Sequence, residues 1–345
     1  MVRKMAVPPL ELVDHDGPGT QMCAVVERAG EITVKRARIP EPSADEVRVK
    51  VKWVGICGSD VEVFRGAREP EFISYPTRLG HEVAGVIDKV GSNVIGLREG
   101  DHVALRYVWG AFAEYVCCSP FSVKVLPKEL PLIEGSLIEV LPGILHAAEL
   151  SEIAPHKNVL IMGQGVSGLV MTQVAQLFSP RNLAVTDLFD EKLALARKYG
   201  ATHTYKMPSP EARTMDVVGR DFPDGFDVVI PCLLEGDGMV DAIDAAAQNG
   251  RIVMYGCIGT CRKPVDFFKI HKKRLDIFST EPKRDIDNRR FFDEGLKLVM
   301  DGLVNTKEMI THIVPLADVA EAFRLRNRHA GNTIHVMIDC EAGGK

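Results

Sequence analysis

Between Asn158 and Asp187 the chain reads as an apolar strand (Asn158-Val-Leu-Ile-Met162), a glycine loop (Gly163-Gln-Gly-Val-Ser-Gly168), a helical stretch (Leu169 to Phe178) and a second strand ending on an acid (Leu183-Ala-Val-Thr-Asp187). This run constrains the fold more than any other, because its three glycines answer three separate steric demands. Gly163 permits the tight turn off the strand, Gly165 lets a pyrophosphate approach the backbone, and Gly168 lets helix and sheet pack closely. Phosphate at the helix N-terminus would meet free N–H groups and the positive end of the dipole. Asp187 is placed to bond a ribose 2′-hydroxyl and would repel a 2′-phosphate, which favours NAD over NADP. Val166, Ser167 and Lys192 join Gly163, Gly165, Gly168 and Asp187 as cofactor-binding candidates. Strand–helix alternation continues through Glu191 to Tyr199, Phe226 to Ile230, Met239 to Gln248, Arg251 to Tyr255 and Leu275 to Phe278. An α/β unit with a doubly wound parallel sheet over 143–281 is the expectation.

The first 142 residues follow a different rhythm. Glu46-Val-Arg-Val-Lys-Val-Lys-Trp-Val54 alternates with a period of two, and 23–27, 32–34, 82–90, 101–105 and 113–117 also read as strands broken by Pro and Gly. They predict a barrel-like β unit, rejoined at the end of the chain by a helix (Asn288 to Asp301) and a closing β segment (Thr333 to Ile338). The catalytic domain would thus comprise 1–142 and 282–345. A length of 345 residues suits two domains. The net charge of −5 gives no general attraction to nucleic acid or anionic membranes. No apolar run approaches the roughly 18–20 residues of a membrane span. Arg3 and Lys4 are not followed by an apolar signal core, and eight cysteines without regular spacing make no disulfide framework. A reducing cytoplasm is expected.

Within the β unit, Cys57 in Gly-Ile-Cys-Gly-Ser-Asp precedes His81-Glu82 in Leu-Gly-His-Glu. A thiolate, an imidazole and a carboxylate together suit zinc, and a catalytic zinc site takes three protein ligands and leaves one position open. A further ligand should lie elsewhere in the chain.

Val54-Gly-Ile-Cys-Gly-Ser-Asp60, Leu79-Gly-His-Glu-Val-Ala-Gly-Val-Ile87, Gly100-Asp101, Ala111-Phe-Ala-Glu-Tyr115 and the later glycine loop resemble, in order and spacing, the medium-chain zinc-dependent alcohol dehydrogenase family. The resemblance runs from about residue 22 to 340. It implies a GroES-like catalytic domain around a Rossmann domain, with the active site in the cleft between them. It also implies that Glu139, in a Gly-Ser-Leu-Ile-Glu stretch similar to that of the polyol (sorbitol) dehydrogenase branch, is the third zinc ligand. Glu82 would be a fourth ligand or a partner of one. Ser59 would pass the alcohol proton outward; Glu62 stands where the family often has histidine. Many relatives carry a structural zinc between the Gly-Asp and Phe-Ala-Glu-Tyr motifs. No cysteine lies there in this chain, so one catalytic zinc per subunit is expected.

The expected activity is oxidation of a secondary alcohol (a polyol, sugar alcohol, cyclitol or related metabolite) with hydride transfer to NAD. Alternatives are a threonine-type dehydrogenase with the same ligands, and a zinc-free NADPH-dependent enone or quinone reductase of the same fold. The family implies a homodimer or homotetramer. Phe64, Phe72, Tyr75, Trp109 and Phe121 are core residues or walls of the substrate site. Cys257 and Cys261 lack companions for a metal. The basic run Arg262, Lys263, Lys269, Lys272, Lys273 and Arg274, with Lys283-Arg284 beyond it, is a solvated face or meets cofactor phosphate or an anionic substrate.

Overall fold

The computed structural model describes residues 7, 9–67, 73–233, 236–256, 263–280, 285–328 and 330–342, the side chains of 285–288 excepted. The chain divides into two compact units: 1–139 with 306–329 and 335–345, and 140–305 with 330–334.

In the second unit, six strands form one sheet in the spatial order His203–Lys206, Asn182–Asp187, Asn158–Met162, Phe226–Pro231, Ala246–Met254, Asp276–Ser279. Every neighbouring pair is parallel. That order reverses direction between Asn158–Met162 and Phe226–Pro231, which is the switch point of a Rossmann sheet and the usual place for a ligand. The two central strands are apolar and buried over Val159–Met162 and Val228–Pro231, as strands covered on both faces must be. Helix Leu141–Ser151 packs on helix Asp285–Met300. A Cβ on Gly295 would sit 2.6 Å from Leu141 Cβ, so glycine there is what lets the two helices close up. This contact lies within the second unit.

The first unit holds a seven-stranded sheet. Its path is Ile310–Pro315, His335–Asp339, Val47–Gly55, Glu82–Val90, His102–Leu105, Val123–Val125, with Tyr115–Cys118 also pairing to Val47–Gly55. A three-stranded sheet of Leu12–Val13, Glu31–Arg38 and Thr20–Arg28 joins it. Val47, Val49 and Val51 alternate inward as the period of two predicted, and pack in a core with Ile56, Leu79, Phe112 and Phe323. The register slips between Val51 and Trp53, after which Gly55 pairs with Glu82 on one side and Met337 on the other. Irregularities of this kind re-aim side chains at the end of a strand. Phe64 is buried in this core.

Some element boundaries differ from the sequence reading. The helix after the glycine loop begins at Val166, not Leu169, because Gly165 already occupies its N-cap. Helix Gly238–Ala245 gives way at once to the strand Ala246–Met254. Helices Gly58–Arg65 and Val319–Asn327 were not anticipated. Asp60, three residues after Cys57, and Gly66, left-handed at φ 74°, were the available signals for the first of them. No helix among the described residues is long and apolar enough to cross a membrane.

Candidate functional site

Cys57 is the N-cap of helix Gly58–Arg65, and its extended backbone is reciprocally capped with Asp60. Asp60 is almost wholly buried, and its carboxylate ties together the two segments that carry the site. One oxygen accepts from Cys57 N at 3.0 Å; the other accepts from Gly80 N at 3.1 Å and lies 3.5 Å from His81 Nδ1. Glu82 opens the next strand, and its Oε2 lies 3.0 Å from His335 Nε2. Gly55 provides the room: a Cβ there would stand 2.2 Å from Glu82 Oε2 and 2.3 Å from His335 Nε2.

Donor atoms of Cys57, His81 and Glu82 all fall within 4.8 Å of one another. Burial raises the Cys57 thiol above its ordinary range, and the charge of Glu82 adds to this. Burial pulls the His81 imidazole down, but Asp60 and Cys57 outweigh it and lift it well above the ordinary value. Burial likewise opposes charge on Glu82, yet His335 and His81 bring its carboxyl down to about 2. His81 Nδ1 and Glu82 Oε2 are closed to solvent without an aligned hydrogen bond. Thiol, imidazole and carboxylate in this state fit a divalent zinc ion, which displaces protons from just such donors.

Glu139 lies outside that group. Its carboxylate pairs with Arg106 at 3.0 Å, and burial lifts its pKa to about 6 against the pull of Arg106. The charges of His81, Glu82 and Asp60 also act on it, so it is a neighbour of the centre turned towards an arginine. Ser59 stands in the first turn of the helix that Cys57 caps. The Trp109 ring lies against His81, with centroids 4.3 Å apart, which makes it a wall of the centre. Sequence reasoning did not single out Gly55, Asp60, Arg106 or His335, which border the group or its neighbour Glu139.

Among the described residues no second cluster of this kind occurs. Cys117 Sγ lies 3.6 Å from the Pro40 carbonyl and Cys118 is buried. Members of the basic run have structural partners. Lys263 and Lys269 pair with Asp237 and Asp244, and Lys273 donates to the carbonyls of Ile243, Asp244 and Ala246 at the end of a helix. Phe72, Cys257, Cys261, Arg262, Lys283 and Arg284 lie outside the described residues.

In the second unit the glycine loop has the expected geometry. Gly163 has φ 87°, and a Cβ on Gly168 would come within 1.9 Å of the Gly163 carbonyl oxygen. Gly165 faces open space, where a ligand can approach. Val166 and Ser167 form the first turn of the helix. Asp187 accepts from Gln164 N at 2.7 Å and Phe189 N at 3.0 Å, so it braces the loop as well as marking the strand end. Lys192 is buried, with Nζ 5.0 Å from the Phe189 ring centroid.

Two family models match the chain, an alcohol dehydrogenase GroES-like domain over 43–128 and a zinc-binding dehydrogenase over 167–282, together more than half its length. The chain belongs to the medium-chain, zinc-type alcohol dehydrogenase family. Within this dehydrogenase family it is 32% identical to a galactitol 1-phosphate 5-dehydrogenase of Escherichia coli over 286 residues, 73% of this chain and 80% of the relative. It is 29% identical to a D-xylulose reductase of Saccharomyces cerevisiae over 357 residues, 93% and 98% of the two chains. Among solved structures, an Escherichia coli alcohol dehydrogenase in complex with NADH superposes with a TM-score of 0.81 at 25% identity, covering 93% of this chain and 99% of that one. An L-idonate 5-dehydrogenase of Vitis vinifera is 29% identical over 336 residues, 87% of this chain and 90% of the relative.

Proposed function

We propose that this dehydrogenase oxidises a secondary alcohol of the polyol or sugar-alcohol type, with NAD as hydride acceptor and one zinc ion per subunit. The buried group of Cys57, His81 and Glu82 carries the reading. When bound, zinc supplies the Lewis acidity that makes a hydroxyl acidic near neutral pH, and NAD takes up the hydride. Cys57, His81 and Glu82 would hold the ion with one position left open to the alcohol, and Glu139, paired with Arg106, would stand beside the centre. Asp60 keeps Cys57 and His81 in register through the backbone N–H groups of Cys57 and Gly80. Ser59 takes the alcohol proton at Oγ and passes it outward, and Trp109 keeps water from one side of the centre. Asp187 bonds the ribose, while Gly163, Gly165 and Gly168 leave room for the pyrophosphate at the N–H groups of Val166 and Ser167; Lys192 stands beside the ribose. The relatives named for D-xylulose and galactitol 1-phosphate support the substrate class.

A homodimer or homotetramer is part of this reading, supported by the Asp276–Ser279 strand at the sheet's edge. So is a cytoplasmic location, supported by six described cysteines that are all free thiols. Protein stripped of metal, reloaded with zinc and offered NAD with a panel of polyols, amino alcohols and sugar acids tests the activity. Turnover should need zinc and be abolished in Cys57→Ala, whose NAD affinity stays within about threefold of wild type. Metal-independent turnover in that variant would overturn the proposal.

A further inference from the structure

Arg106 stands just past strand His102–Leu105, and its Nη1 donates twice to Glu139: to the backbone carbonyl, and to carboxylate Oε1 at 3.0 Å. The two side chains are only 11% and 13% exposed, so this is not a surface ion pair of little consequence. The arginine is itself fixed from two sides. Its backbone N–H donates to the Ser122 carbonyl at 3.0 Å, and its guanidinium lies over the Tyr107 ring, 4.8 Å from the centroid. Tyr107 holds a left-handed backbone, φ 60°, which a bulky residue rarely adopts.

The pair has a definite place beside the group of Cys57, His81 and Glu82. Strand His102–Leu105 runs antiparallel to Glu82–Val90, with Val83 opposite Leu105 and Ala84 opposite Ala104. One further step in that register sets Arg106 opposite Glu82, and opposite residues share a face of the sheet with Cβ atoms about 5 Å apart. The turn that carries Glu139 packs on the same stretch. A Cβ on Gly135 would lie 3.8 Å from Ala84 Cβ, and Ser136 Oγ lies 3.9 Å from Met337 Sδ, two residues beyond His335. Arg106 thus neighbours two acids: Glu82, a member of the donor group, and Glu139, which is outside it. A buried carboxylate needs a cation or a proton. Without Arg106 the cation nearest to Glu139 would be the metal ion, and carboxylate oxygen is an ordinary zinc ligand.

We propose that Arg106 is a positioning residue that holds the Glu139 carboxylate away from the metal and so keeps one coordination position open for the alcohol. The proposal rests on the zinc-dependent activity inferred above. Three protein ligands and an open position make a catalytic zinc site, whereas four make a closed, structural one. In this chain the fourth donor belongs to the same compact unit, and the arginine withholds it.

The test uses the full chain, loaded with cobalt or zinc, as wild type, Arg106→Met, Arg106→Lys, Glu139→Gln and the double variant Arg106→Met with Glu139→Gln. Imidazole, a neutral ligand, probes the open position through the visible spectrum of cobalt, and a chromogenic chelator reads zinc release. The wild-type spectrum should change when imidazole is added. In Arg106→Met that change should be absent, while zinc release slows and turnover of a polyol panel falls, each by roughly 10- to 100-fold. The double variant, with no carboxylate to move, should recover both the imidazole response and the turnover, and Arg106→Lys, still cationic, should fall between wild type and Arg106→Met. A wild-type spectrum indifferent to imidazole overturns the proposal. So does Arg106→Met that keeps the response or releases zinc faster, and so does a double variant that recovers nothing, since the arginine would then serve the fold alone. If Arg106→Met fails to fold, Glu139→Gln decides: zinc content and imidazole response like those of wild type support the proposal, and lost zinc overturns it, because Glu139 would already be a ligand. Spectra as expected with no alcohol oxidised by any of the proteins would fail the activity reading alone.

Discussion

Nε2 of His335 and Oε2 of Glu82 stand 3.0 Å apart over a glycine, with side chains only 1% and 3% exposed. The strand pairing that puts Gly55 between Glu82 and Met337 creates this meeting, and Gly55 alone leaves space for it.

Gly55→Ala should therefore damage the metal centre although position 55 supplies no ligand. The new methyl would overlap both Glu82 and His335, a fault of about 1–3 kcal/mol if the strands shift to absorb it. Zinc content by elemental emission and the thermal midpoint should both drop. Full zinc retention at wild-type Tm would show that the site has slack the distances do not suggest.

The same pair sets an acid limb in the metal-free protein. The Glu82 carboxyl sits at about 2 in the folded chain, below its ordinary 4.5. Between these values the unfolded chain binds more protons, so stability rises with pH there. The contribution is fully present above about 4.5 and is lost as pH falls through about 2. His335→Gln should remove on the order of 2 kcal/mol of it at pH 5–6 and progressively less towards pH 3. Urea unfolding of both metal-free proteins across that range reads the difference, and a gap that widens on acidification would reverse the assignment.

Asp187→Asn keeps an oxygen for the loop amides and removes the charge. NAD affinity should fall by roughly tenfold while NADP gains relative to it. An NAD-to-NADP ratio that does not move, measured by fluorescence titration of the reduced cofactors, would leave Asp187 with its bracing role alone.

Trp109 offers a direct report on the metal. The chain has two tryptophans, Trp53 and Trp109, and Trp109 lies 4.3 Å from the His81 ring. Cobalt substituted for zinc should quench more than half of the Trp109 emission. Trp109→Phe should bind cobalt with little change in emission, and equal quenching in both proteins would place the ion away from His81.

The glycine loop was legible because its demands are local: the turn at Gly163 and the close approach at Gly168 are settled within a few residues. Cys57, His81 and Glu82 were legible as a donor set whose chemistry suits few ions. Asp60, Gly55 and His335 were not, since their roles come from strand pairing and contacts between distant stretches of chain. Glu139 shows the limit most clearly. The family resemblance implied a ligand there, but Arg106, just past strand His102–Leu105, holds its carboxylate.

The late position of His335 has a consequence for how the enzyme is made. Strand His335–Asp339 pairs with Val47–Gly55, and the whole second unit lies between them in sequence. During synthesis the first unit must wait, with the Trp53–Gly55 end of its strand Val47–Gly55 open on one side and Glu82 without His335, until the ribosome has passed residue 339. Stable metal loading would then depend on translation past His335, and nascent chains halted before residue 335 should hold zinc poorly even though Cys57, His81 and Glu82 have long emerged.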